Sequence, residues 1–189
     1  MPRQSKAANR IFQLRVSLQE IEPPIWRRLL VPSNITLAKL HATLQEAMGW
    51  TFSHLHMFEI RDRRIGNPRE DEDGEMKLED EKKVKLDQLV GEGQALRYVY
   101  DFGDDWQHEV RVEKALEPDP RLHYPLSVAG ARACPPEDVG GVGGYAEFLT
   151  ALRDTRHDDH SQMLTWCGGM FDPEGFDVNA VNRALRRLR

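Results

Sequence analysis

Ile11-Phe-Gln-Leu-Arg-Val-Ser-Leu18 carries apolar side chains at positions 12, 14, 16 and 18 and polar ones at 13, 15 and 17. A period of two is the signature of a strand with one buried face. Ile25-Trp-Arg-Arg-Leu-Leu-Val31 follows across Glu20 to Pro24 and is closed by Pro32, so the two segments read as a hairpin. The period then changes. Leu37, Leu40, Leu44, Ala47 and Met48 recur at helical spacing until Gly49, with Ser33 or Asn34 placed to cap the helix.

Beyond Trp50 the alternation returns in His54-Leu-His-Met-Phe-Glu-Ile60, and a tight link at Asp62 to Arg64 leads to a short strand near Ile65. Arg69 to Glu81 is a charge run, read as a mobile surface loop. Leu86 to Val90 suits a short helical turn ended by Gly91 and Gly93, followed by strands at Ala95 to Tyr100 and His108 to Glu113. Strand, strand, helix, strand, short helix and strand is the order of a β-grasp-like mixed sheet with one main packed helix, an α+β class.

From Pro118 the chain is rich in proline and then reads Gly140-Gly-Val-Gly-Gly144, an irregular stretch too long for an idle connector. Tyr145 to Arg153 and Ser161 to Cys167 suit short helices, and Asp177 can cap a last one with Val178, Val181, Leu185 and Leu188 on one face. The expected organisation is a flexible N-terminus at 1–10 and a single unit at 11–189. Within it, 11–117 forms the sheet-and-helix core and 118–189 an irregular and helical extension packed on the sheet.

The totals bound the function classes. A chain of 189 residues is long enough to bury roughly 70% of the surface its unfolded form exposes. With 26 basic and 31 acidic residues the net charge is −5, so nucleic acid or an anionic membrane would need a local basic patch. No stretch approaches the roughly 18 apolar residues of a spanning helix, and the polar, basic start is not a signal peptide. Two cysteines far apart in sequence agree with a reducing cytoplasm.

Six blocks then form a pattern. Pro23-Pro-Ile-Trp-Arg-Arg28, Met48-Gly-Trp50, Ser53-His-Leu-His56, Tyr100-Asp-Phe-Gly-Asp-Asp-Trp106 with His108, Cys134-Pro-Pro-Glu-Asp138 with Gly140-Gly141, and Phe171-Asp-Pro173 with Phe176-Asp177 occur in this order. Together they resemble the plasmid pRiA4b Orf3-like family, from about Ile11 to Leu185. The resemblance implies a fold and a mobile-element context rather than a mechanism. Many relatives read Cys-Pro-Pro-Glu-Asp-Cys-Gly-Gly, whereas Val139 stands here at the second cysteine, which removes half of any two-cysteine device. A resolvase label carried by some members finds no support, because no activated serine with an arginine cluster can be assembled.

The residues also suggest sites. His54 and His56, two apart on an expected strand, would share a face, and with Asp104 and His108 they supply the ligand types of a zinc or manganese ion, with Asp105 as general base. The plainer alternative has one histidine capping the helix end near Trp50 and the other on a polar sheet face, hydrogen-bonded to a carboxylate. Asp101-Phe-Gly103 lacks the rest of a kinase signature, and the glycines at 140–144 lack a phosphate-loop Lys-Ser/Thr and read as a flexible turn. Cys134 reads as a buried or semi-buried free thiol. Trp26, Arg27 and Arg28, with Trp106, offer an aromatic and cationic set for nucleic acid or a partner, and Arg183, Arg186, Arg187 and Arg189 make the last helix basic. Alternatively Arg27 or Arg28 pairs with the acids at 101 to 105. The leading expectation is a non-catalytic accessory or interaction module with an unidentified protein partner and a concave polar site built from the His54/His56 strand and the Asp101 to His108 segment. A metal-dependent hydrolase or nuclease stands second and a nucleic-acid binder third.

Overall fold

The computed structural model describes residues 10–71 and 74–188. The expected flexible N-terminus therefore lies, except for Arg10, outside the described residues. The period-two segments form strands β1 (Ile11–Leu18) and β2 (Trp26–Pro32), paired antiparallel with Leu14 opposite Leu29. Helix α1 spans Leu37–Met48. Its N-cap is Thr36, three residues or fewer beyond the expected Ser33 or Asn34, and the Thr36 side chain accepts from the Lys39 N–H. Gly49, at φ 98°, ends the helix in the left-handed conformation that glycine adopts without strain.

Five further strands in chain order are β3 (His56–Ile60), β4 (Arg63–Gly66), β5 (Glu79–Asp80), β6 (Ala95–Tyr100) and β7 (Trp106–Leu116). β8 (Leu126–Ala131) lies inside the stretch expected to be irregular. The sheet order is β5-β4-β3-β6-β7-β1-β2-β8. Every neighbouring pair is antiparallel except β4 and β5, so the sheet is mixed, as expected; its own strand order describes it without the β-grasp name. β5 also shows that the charge run is not all loop, since Glu79 and Asp80 pair with Ile65 and Gly66.

The alternation puts Leu14, Val16, Leu29, Val31, Phe58, Val110 and Val112 on one sheet face, where Leu37, Leu40, Leu44 and Ala47 of α1 close the core. Burial of this apolar surface is the main drive for the layer arrangement. Helices α2 (Gly141–Arg153), α3 (His160–Trp166) and α4 (Val178–Leu185) follow. The glycine run read as a turn is thus the start of α2. A Cβ at Gly141 would stand 2.6 Å from the Asp104 carbonyl oxygen, so glycine lets this helix abut the β6–β7 turn.

The extension is tied to the sheet at β8. The Ser127 N–H donates to Asn182 Oδ1 of α4 (2.8 Å), and Asn182 Nδ2 donates to the Ser127 carbonyl (2.8 Å). Gly130 of β8 leaves room for the Phe176 ring, which lies within 2.6 Å of where a Cβ would be. Replacing Asn182 by Ala removes both bonds to Ser127 and is expected to lower the unfolding free energy by about 1–2 kcal/mol. Urea denaturation measures this, and an unchanged midpoint would mean that water satisfies the Ser127 backbone equally well.

Candidate functional site

β6 ends at Tyr100, and the chain turns at Asp101, a non-glycine residue at φ 57°. The turn is locked locally. Asp101 Oδ1 accepts from the N–H groups of Gly103 (2.9 Å) and Asp104 (3.3 Å), while the Asp101 N–H donates to the Leu55 carbonyl (2.8 Å). With Oδ1 so used, Oδ2 faces Nε2 of His54 at 3.7 Å.

The segment before α2 supplies two more carboxylates. Glu137 is clamped: its Oε1 accepts from the Thr51 N–H (2.8 Å) and the Tyr100 hydroxyl (3.1 Å), and its Oε2 lies 3.8 Å from His54 Nε2. Trp50 Nε1 donates to the Pro135 carbonyl at 3.0 Å and fixes the same segment against the end of α1. Asp138, at φ 59°, brings Oδ1 to 3.1 Å from Nε2, with 72% of its side chain exposed. Burial, followed by the charge of Glu137, pushes the Tyr100 phenol up, so it stays a hydrogen-bond donor.

Three carboxylates from two distant segments therefore surround one imidazole nitrogen. Nε2 is itself buried and, although Asp138 Oδ1 approaches to 3.1 Å, makes no hydrogen bond. Among the described residues, His54, Asp101 and Asp138 are the group of His, Cys, Asp and Glu whose donor atoms all lie within 4.8 Å of one another. One imidazole and two or three carboxylates form a donor set suited to zinc, manganese or iron.

Of the ligands expected from the sequence, only His54 lies in this group. The strand begins at His56, so His54 sits in the preceding bend and the same-face argument fails for the pair. His56 is in the interior, with Nε2 2.7 Å from Glu81 Oε2 and its ring stacked on His41 at 3.4 Å. The carboxylate partner is that of the plainer alternative, but the residue is buried rather than on a polar sheet face. Asp104 Oδ2 accepts from the Gly140 N–H (3.1 Å) and caps the start of α2. Asp105 Oδ2 accepts from Gln107 (2.7 Å) instead of reaching the cluster. His108 is 0% exposed, with Nδ1 3.3 Å from the Tyr98 carbonyl. The sequence reading assigned no metal role to Asp101, Glu137 or Asp138. Two acids at a bend fixed by Pro135-Pro136 were the available signal, and they read equally well as helix caps.

The aromatic and cationic set is also dispersed. Trp26 lies on the open sheet face with the Arg15 guanidinium 4.4 Å and the Arg28 guanidinium 5.3 Å from its ring. Arg28 makes a two-bond pair with Glu113, rather than with the acids at 101 to 105. Arg27 is 3% exposed, and Trp106 is buried in the core at 1%, so neither meets a ligand from solvent. Cys134 is an unpaired cysteine whose thiol burial pushes up to about 11, so it is a neutral thiol as expected.

A family model for plasmid pRiA4b ORF-3-like proteins matches residues 10–180, and the chain belongs to that family. It is similar to an uncharacterised protein, y4hQ, from Sinorhizobium fredii, at 39% identity over 182 residues, covering 94% of this chain and 92% of the relative. It is also similar to the crystal structure of MM3350, a protein of unknown function from Methanosarcina mazei Go1, with a TM-score of 0.83 and 40% identity. That match covers 91% of this chain and 97% of the other. The family resemblance read from the six sequence blocks is thereby established. Among the described residues no helix is long and apolar enough to cross a membrane.

A partly buried histidine, His41, and a fully buried one, His108, set an acid limit on the fold. Burial, with neighbouring His56, holds His41 down to about 3, and burial holds His108 down to about 4. Both stay neutral in the fold, whereas in the unfolded chain they take up a proton near pH 6.5. Stability is therefore full above about pH 6.5, and each contributes a loss of about 1.4 kcal/mol per pH unit as the pH falls from there toward 4. Urea unfolding at about pH 7 and about pH 4.5 tests this, with His41→Gln expected to show the smaller loss. An equal loss in both proteins would clear His41 of the effect.

Proposed function

We propose that the chain is a divalent-metal protein whose ion, zinc or manganese, is held by His54, Asp101 and Asp138 and serves hydrolysis. The observation that carries this reading is the buried, unbonded Nε2 of His54 facing three carboxylate oxygens at 3.1 to 3.8 Å. Such an array of like charges around a lone nitrogen is stabilised by a cation. Left-handed backbone at both Asp101 and Asp138 supports it, since strain of this kind gathers at binding sites.

When bound, the ion would supply Lewis acidity, activating water and polarising a carbonyl or phosphoryl oxygen. The residues do the rest. Asp101, tied through Oδ1 to the backbone, presents a fixed Oδ2. Glu137, oriented by Thr51 and the Tyr100 hydroxyl, keeps Oε2 beside Nε2 and is placed to take a proton from water. Exposed Asp138 leaves the site open on its solvent side.

The interaction module stands second. Phe52 (44% exposed) and Leu55 (39%) flank His54 and would give a protein partner an apolar contact. Nucleic acid is the weakest of the three readings, since Arg27 and Arg28 are engaged within the fold.

Metal analysis of untagged protein, with thermal melts in zinc, manganese and chelator, tests the leading reading. One ion per chain is expected, together with a rise in Tm of roughly 5–10 °C at a hundredfold excess over Kd. His54→Ala should abolish both, whereas Asp105→Asn should keep both. Metal-free protein indifferent to chelator, or His54→Ala that binds as the wild type does, overturns it.

A further inference from the structure

Next to the candidate metal centre, and sharing Asp138 with it, a cleft of about 770 Å³ opens between α2 and α3. Asp138, Glu147 and Asp159 bring acid to its walls, His157 lies beside Asp159 at 4.0 Å, and among the described residues no lysine or arginine lines it. Its apolar part is Phe148, Met163 and Trp166. Trp166 stays 46% exposed although it is a large apolar side chain. Its ring is nevertheless braced, edge to face with Phe148 at 5.6 Å, and Phe148 in turn packs on Phe171 at 5.2 Å. The two helices are fixed to each other by His160, whose Nδ1 lies 2.9 Å from the Ala151 carbonyl.

We infer that this cleft is the subsite for a lysine or arginine side chain of a peptide substrate whose backbone lies at the His54, Asp101 and Asp138 centre. The inference rests on the hydrolytic reading above and names its substrate class. Four physical features favour this occupant. A rigid, exposed indole face attracts an ammonium or guanidinium group, and flanking carboxylates add Coulomb attraction. With Asp138 committed to the ion, Glu147 remains to pair with the cation, and Asp159 adds its charge from beside His157. A phosphate-bearing substrate would instead meet three acids with no lysine or arginine among the described lining residues, His157 being already beside Asp159. The volume suits a ligand larger than one side chain, enough for flanking peptide.

Hydrolysis at such a site balances without any redox partner. The oxygen of one water bonds to the amide carbonyl carbon, the C–N bond breaks, and the proton taken up by Glu137 passes to the leaving nitrogen. The products are one carboxylate and one amine.

The test is a titration of zinc-loaded protein, followed by tryptophan emission, with a capped tripeptide centred on arginine and its citrulline and glutamate counterparts. Citrulline keeps the shape and removes the charge. The arginine peptide is expected to bind at least tenfold tighter than the citrulline one and to alter an emission component that Trp166→Phe removes. Glu147→Gln with Asp159→Asn, both at exposed positions, should erase the tenfold preference while Tm and metal content stay unchanged. Equal binding of arginine and citrulline peptides by protein shown to hold its ion overturns the subsite and leaves the metal centre standing. Arginine preference shown by wild-type protein that takes up no ion when zinc or manganese is added upholds the subsite and removes the hydrolytic reading instead.

Discussion

A buried guanidinium joins the two halves of this molecule. Arg27 projects from the inner face of β2, and its Nε donates to the Ala47 carbonyl near the end of α1 at 2.8 Å. Its Nη1 donates to the carbonyls of Trp26 and Ala131, both at 2.9 Å, and the guanidinium carbon lies 4.6 Å from the Phe176 ring. One side chain thus touches the sheet, the main helix, the added strand β8 and the loop before α4. Burial lowers its pKa, and among the described residues no carboxylate pairs with it; the carbonyl ends of a helix and a strand disperse the charge instead. Lysine could not do the same, because a single ammonium cannot fork toward acceptors in several directions.

The junction matters to the site because the site spans it. His54 and Asp101 belong to the core, while Glu137 and Asp138 belong to the extension. Their convergence needs β8 in the sheet, Trp50 on the Pro135 carbonyl, and α2 seated on Asp104 through Gly141. Each of these contacts is remote from the chemistry, yet each sets the spacing of the carboxylates around Nε2.

Local pattern made most of the core legible. The alternation at 11–18 and the helical spacing at 37–48 survive almost residue for residue, because one face of each is buried against the other. β8 was hidden because Leu126-Ser-Val-Ala-Gly-Ala131 is poor in large apolar residues and holds a glycine. That glycine serves the Phe176 ring, a tertiary reason that no local period expresses. At the site, residue type pointed to His54, and the acid run held Asp101. The same-face argument for His56 assumed a strand two residues longer than the real one. Glu137 and Asp138 lie more than thirty residues beyond Asp101, and only the folded path of the extension brings them together.

The hold of Asn182 on Ser127 has a consequence for how copies of the chain behave in a crowd. A sheet ends in backbone groups that invite another strand, and β8 is the longer of the two ends here. By presenting an amide that imitates a neighbouring strand for one residue, the last helix occupies the docking register a second molecule would need. The other end, β5, is only two residues long and acidic. Both margins thus carry features that discourage strand-by-strand growth, a capped residue on one and a short acidic strand on the other.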